Sequence, residues 1–172
     1  MNKLILICLL LILQGCATLG PMGTKEYLPM VAKASDINDK EIILSSRVFW
    51  SALNHENIED SVDIIMHRKP ITLYDSILVL SSDSLFILDW NPTNKEYTKR
   101  YKLDIDNIVL LKIRRFGLSR AIKINFKSEN AGTYTFNLMT DSAQFQNTSI
   151  SDELFDYLAK KTVPNGIEPG VF

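Results

Sequence analysis

Cysteine is almost missing from this chain. The only two, Cys8 and Cys16, fall within the first sixteen residues, so the body can hold no disulfide, thiol nucleophile or cysteine-based metal site. Histidine is as scarce, with His55 and His67 the only imidazoles. No Gly-x-Ser-x-Gly, His-Glu-x-x-His or glycine-rich phosphate loop occurs. We therefore expect no enzyme, no cofactor and no metal. Neither sign of charge dominates, with 19 Lys and Arg against 20 Asp and Glu, which argues against a nucleic-acid partner. Nor is there an apolar run of the roughly 20 residues that a membrane-spanning helix needs.

The longest apolar run is Leu4 to Leu13, preceded by Lys3. Its length and its basic flank fit a secretory signal rather than a membrane span. Leu13-Gln14-Gly15-Cys16 follows, and it resembles the lipobox of bacterial lipoproteins, with Gln14 departing from the small or β-branched residue usual at its position. The resemblance implies cleavage before Cys16, acylation of Cys16 and membrane attachment. Buried methylenes contribute about 0.8 kcal/mol each, so two or three acyl chains anchor durably. The plainer alternative is a signal peptide with an incidental cysteine. Ala17, rather than Asp, follows the cysteine, and for a Gram-negative source the resemblance then implies the outer membrane, facing the periplasm.

The expected organisation is a signal over 1–15, a lipidated N-terminus and flexible tether over 16–40, a domain over 41–162 and a loose tail over 163–172. As free coil the tether would reach about 25–30 Å, and less than about 85 Å fully stretched. A second reading packs Tyr27, Leu28, Met30 and Val31 on the domain and shortens it. A domain of this size buries about two-thirds of its unfolded surface, enough for a self-sufficient core.

Within 41–53 two patterns compete. Val48, Phe49, Ala52 and Leu53 suit a helix face, whereas Ile42 to Leu44 suits a strand. A further strand is expected near 61–67. Ser76 to Leu80 and Leu85 to Trp90 are nearly continuous apolar runs around the turn cluster Ser81-Ser82-Asp83-Ser84. Asn91-Pro92-Thr93-Asn94 makes the next turn, Glu96 to Leu103 a more exposed strand, and Asp104 to Asn107 a tight or helical turn. Ile108 to Ile113 is apolar until Arg114, Arg115 and Gly117 break it. Ala121–Lys127 and Thr133–Leu138 alternate with period two, so each buries one face, and Asn130-Ala131-Gly132 joins them as a hairpin. A helix follows, with Ser151 as N-cap, Ile150 and Phe155 as a staple, and Leu154, Phe155, Leu158 and Ala159 as its buried stripe. Lys160 and Lys161 suit its C-terminal dipole end, and Pro164 and Gly166 end it.

Strands followed by one C-terminal helix suit an antiparallel barrel, or two orthogonal sheets, capped at one end. Ser76-Ile77-Leu78-Val79-Leu80-Ser81, a turn, then Leu85-Phe86-Ile87-Leu88, with Tyr101 to Ile108 as the step to the next strand, resembles the PH-like superfold and its GRAM-type members. The match covers about 62–161, and the pattern does not need 41–61. The resemblance implies a mostly β fold of α+β class and a non-catalytic binding module for lipid, peptide or protein.

Two constellations invite a site. Ten basic residues lie between Lys95 and Lys127 (Lys95, Lys99, Arg100, Lys102, Lys112, Arg114, Arg115, Arg120, Lys123, Lys127), opposed only by Glu96, Asp104 and Asp106. The best cluster, Lys112, Arg114, Arg115, Arg120 and Lys123, would meet anionic lipid if its members share a face, at roughly 1 kcal/mol per basic residue. The stronger competing reading is a solvated outer face, where Lys also deters edge pairing. His55, Glu59 and Asp63 are spaced to share a helix face and ligate a metal, but an acidic solvated face explains them better. The functional expectation is a membrane-anchored protein whose domain contacts anionic lipid. The alternative is an interaction or assembly subunit of an envelope complex, using a sheet edge or the 41–63 region.

Overall fold

The computed structural model describes residues 20–54, 72–127 and 132–172. The lipobox, the expected strand near 61–67, the trio His55, Glu59 and Asp63, and the Asn130-Ala131 turn lie outside them.

Eight strands form one sheet: β1 (Leu44–Asn54), β2 (Tyr74–Leu80), β3 (Ser84–Asn91), β4 (Glu96–Asp104), β5 (Ile108–Phe116), β6 (Ser119–Phe126), β7 (Gly132–Met139) and the two-residue β8 (Gly170–Val171). Helix α1 spans Tyr27–Ser35 and helix α2 spans Thr148–Thr162. The strand order is β4-β3-β2-β1-β7-β6-β5-β8, antiparallel throughout except where β8 joins β5. The sheet curls around one core to which all seven long strands contribute, from Leu44, Val48 and Trp50 to Tyr134, Phe136 and Leu138. Leu154, Phe155 and Leu158 of α2 close that core. The expected helix-capped antiparallel architecture is the one observed, as one continuous sheet.

β2 and β3 read as continuous apolar runs because both of their faces are covered. Leu78, Leu80, Leu85 and Ile87 face the main core. Ile77, Val79, Phe86 and Leu88 face outward onto Tyr27 and Val31 of α1, with Tyr97 of β4. β6 and β7 keep a strict alternation because their outer face is left to solvent.

Several local expectations give way to long-range structure. Residues 44–54 are not a helix face but the central strand, paired with β2 on one side and β7 on the other. The fold therefore needs residues 44–54, part of the 41–61 stretch that the PH-like pattern does not require. Within the expected tether, Tyr27–Ser35 form α1, which buries Tyr27 and Val31 on the sheet, while Leu28 stays exposed. Helix α2 begins a turn before Ser151: Asn147 is its N-cap, its side chain accepting from Ile150 N at 3.2 Å, and Ser151 Oγ bonds back to Asn147 O. The tail is not free, since Val163–Asn165 forms a 3-10 turn and β8 lies along Lys112 and Ile113. Asp104 leads into a 3-10 turn, Ile105–Asn107. At the β2–β3 turn, Ser81 Oγ donates to Asp83 Oδ1 at 2.9 Å, and this bond is the main reason the Asp83 carboxyl titrates below its ordinary value.

Candidate membrane-facing site

β5 and β6 form a hairpin closed by Gly117 and Leu118, with Phe116 opposite Ser119 and Gly117 at φ +54°. Register sets the fate of the basic cluster. Lys112 lies opposite Lys123, and Arg115 opposite Arg120. Like charges directly opposed across two strands are destabilising, so each pair needs compensation.

All five residues come to one hairpin, but they divide between its faces. Lys112 and Arg114 flank the buried Ile113 and project outward, as does Lys123. There the chain end supplies an aromatic partner: the Phe172 ring lies 5.8 Å from both the Arg114 guanidinium and the Lys123 ammonium. On the other face, Asp152 in the first turns of α2 bridges both arginines. Its Oδ1 accepts from Arg115 Nε at 3.1 Å and from Arg120 Nε at 3.2 Å. Arg115 also stacks 5.4 Å from the Phe155 ring. Arg120 Nη1 donates to Gly117 O at 2.9 Å and Ser119 O at 3.1 Å, tying the turn to the strand. Arg115 and Arg120 thus brace the hairpin against the helix, while Lys112, Arg114 and Lys123 carry charge on the outer face.

The other basic residues of the stretch lie elsewhere. Lys99, Arg100 and Lys102 belong to β4, whose second edge has no partner strand among the described residues. Arg100 is engaged, donating to Asp89 Oδ2 at 2.9 Å with its guanidinium 4.3 Å from the Tyr74 ring. Lys102 lies 3.5 Å from Asp104.

A second polar feature carries no local sequence signal. Arg47, on the outer face of β1, is 4% exposed and paired with Asp75 through Nε at 2.9 Å and through Nη2. Its Nη1 and the Tyr97 hydroxyl have no partner among the described residues. Both residues line a cavity of about 30 Å³ with Met22, Ser76 and Trp90. That volume suits one or two waters and is far below a small-molecule site. Among the described residues no cluster of His, Cys, Asp and Glu could hold a metal, and no helix is long and apolar enough to cross a membrane.

Sequence reasoning found the basic residues but not Asp152 as their shared counter-ion, nor the apolar turn between them. A signal for the latter was present: Phe116-Gly117-Leu118 puts two large apolar residues where a hairpin turn is ordinarily polar.

Seven antiparallel strands in the order 4-3-2-1-7-6-5, capped by a C-terminal helix, make a mostly β, helix-capped antiparallel fold. Among solved structures the chain is similar to the hSac2 domain of the human phosphoinositide phosphatase Sac2, at 9% identity, TM-score 0.48, 88% of this chain and 90% of that one. It is also similar to the Slm1 PH domain in complex with inositol-4-phosphate, at 12% identity, TM-score 0.44, 69% of this chain and 93% of that one. A third is the DH/PH fragment of PDZRHOGEF bound to human RhoA, at 17% identity, TM-score 0.42, 77% of this chain and 33% of that one. No protein-family model and no curated protein matches the chain. Likenesses this distant say nothing of ligand or activity.

Proposed function

We propose that this chain is a bacterial lipoprotein, anchored through acylated Cys16 in the outer membrane and facing the periplasm, whose PH-like domain binds an anionic membrane surface without catalysis. The observation that carries the reading is the outer face of the β5–β6 hairpin. Lys112, Arg114 and Lys123 gather there with no carboxylate bonded to them among the described residues, and the like-charged pair Lys112–Lys123 is retained in register. An arrangement that costs folding energy by self-repulsion gains when an anionic surface neutralises it.

The test uses the chain from Ala17 onward without lipid, sedimented with anionic or neutral vesicles at low and higher salt. Binding to anionic vesicles alone, weakened by salt, is expected. Lys112→Glu, Arg114→Glu and Lys123→Glu together should weaken it by at least about 100-fold, at roughly 1 kcal/mol for each charge removed. Equal sedimentation of the wild type and the triple variant would sink the lipid reading.

Among the described residues one edge of β4 has no partner strand, which supports a second reading, an assembly subunit of an envelope complex that pairs through this edge. Retention of an envelope protein by the triple variant, together with loss of that protein on mutating the β4 edge, would favour it.

A further inference from the structure

The tip of the same hairpin is apolar and almost fully in water. Phe116 is 80% exposed and Leu118 87% exposed. Scattered exposed apolar residues need no explanation, but two large ones at one projecting turn do. The turn that holds them is also braced: Arg120 ties Gly117 O and Ser119 O together and is itself held by Asp152. Little conformational entropy is left to lose when these side chains enter an apolar medium.

The order of chemistry along the hairpin identifies that medium. Phe116 and Leu118 form the leading layer. Immediately behind them stand Arg114, Arg115 and Arg120, projecting to both faces, and behind these the Lys112–Lys123 pair. Apolar first and cationic next is the order in which a bilayer presents hydrocarbon and then anionic headgroups.

We infer that the β5–β6 tip is a membrane wedge: Phe116 and Leu118 enter the acyl region of an anionic leaflet while the arginines stay at phosphate level. This rests on the membrane-surface reading above and deepens it, because it adds a salt-resistant apolar contact to a salt-sensitive one. Each apolar side chain contributes roughly tenfold to the partition.

The full-length, natively acylated chain reconstituted in vesicles tests the wedge. Leu118→Cys provides the attachment point for a polarity-sensitive dye, since no cysteine follows Cys16. In phosphatidylglycerol-containing vesicles the dye should shift to the blue, be quenched by lipids brominated in their acyl chains, and keep that shift after salt is added. Phe116→Asp should abolish the shift while the protein still floats with the vesicles. A floating protein whose dye stays water-like in every lipid overturns the wedge and leaves the anchor standing. A protein that neither floats nor shifts its dye overturns both. A blue shift that needs an added envelope protein, with no quenching by brominated lipid, overturns the wedge in favour of a protein pocket.

Discussion

Arg47 shows how far one side chain's energy depends on its partner. A guanidinium that is 4% exposed is tolerable only beside Asp75, whose own side chain stays 41% exposed. Asp75→Ala leaves that charge buried without a counter-ion and should cost about 3 kcal/mol, read from chemical denaturation. Arg47→Met in the same background should recover part of the loss, since an apolar side chain of similar length removes the orphaned charge. A neighbouring polar relay works in a different way. Trp50 Nε1 donates to Ser76 Oγ at 2.9 Å, and Ser76 Oγ donates to Asp89 Oδ1 at 2.7 Å, so a buried indole reaches the surface ion pair Asp89–Arg100 through one hydroxyl. None of these pairings has a signature in the local sequence, because Arg47 and Asp75 are joined only by strand register.

At the level of elements, α1 turns a tether into part of the fold. Its buried face, Tyr27 and Val31, covers Ile77, Val79, Phe86 and Leu88, which would otherwise form an exposed apolar strip on the outer face of the sheet. Val31→Asp places an unpaired carboxylate in that interface. It should destabilise by about 3 kcal/mol and raise the binding of an apolar-surface dye before global unfolding. Loss of stability without new dye binding would mean that α1 and the sheet unfold as one unit. The continuous apolar runs of β2 and β3 announced two covered faces, but not what covers the second. The residues of α1 show no sustained helical period strong enough to have named it.

For the molecule as a whole, docking of α1 shortens the leash. The described chain begins at Gly20, which packs so closely on Tyr97 and Trp90 that a Cβ there would clash with the Tyr97 hydroxyl. Three residues separate Gly20 from Cys16, so the four Cα-to-Cα steps span at most about 14 Å. If Cys16 carries the anchor, the domain rests at the bilayer, and the hairpin's search for lipid becomes intramolecular. Global stability carries its own pH signature. Burial is the first cause that raises the hydroxyls of Tyr27 and Tyr134, each to about 12. Because the folded values exceed the unfolded value of about 10, both contributions are intact below pH 10 and lost as pH rises towards 12. Denaturation midpoints should hold between pH 8 and 9.5 and fall steeply by pH 11.5, and Tyr27→Phe should blunt the fall.

Local pattern was enough for much of this architecture. Alternation marks β6 and β7, turn clusters bound β2, β3 and β4, and the stripe Leu154, Phe155 and Leu158 marks α2, because each signal lies within one turn or one strand. Tertiary structure decided the rest. The segment 44–54 became a strand because Val48 meets Ser76 on one side and Leu138 on the other, partners that no local window contains. α1 folded onto the sheet because the outer faces of β2 and β3 needed cover. The basic cluster split between two faces because strand parity, together with Asp152 from a helix 32 residues beyond Arg120, assigns each side chain its surroundings. Period and turn chemistry are properties of neighbours in sequence; burial and charge pairing are properties of neighbours in space.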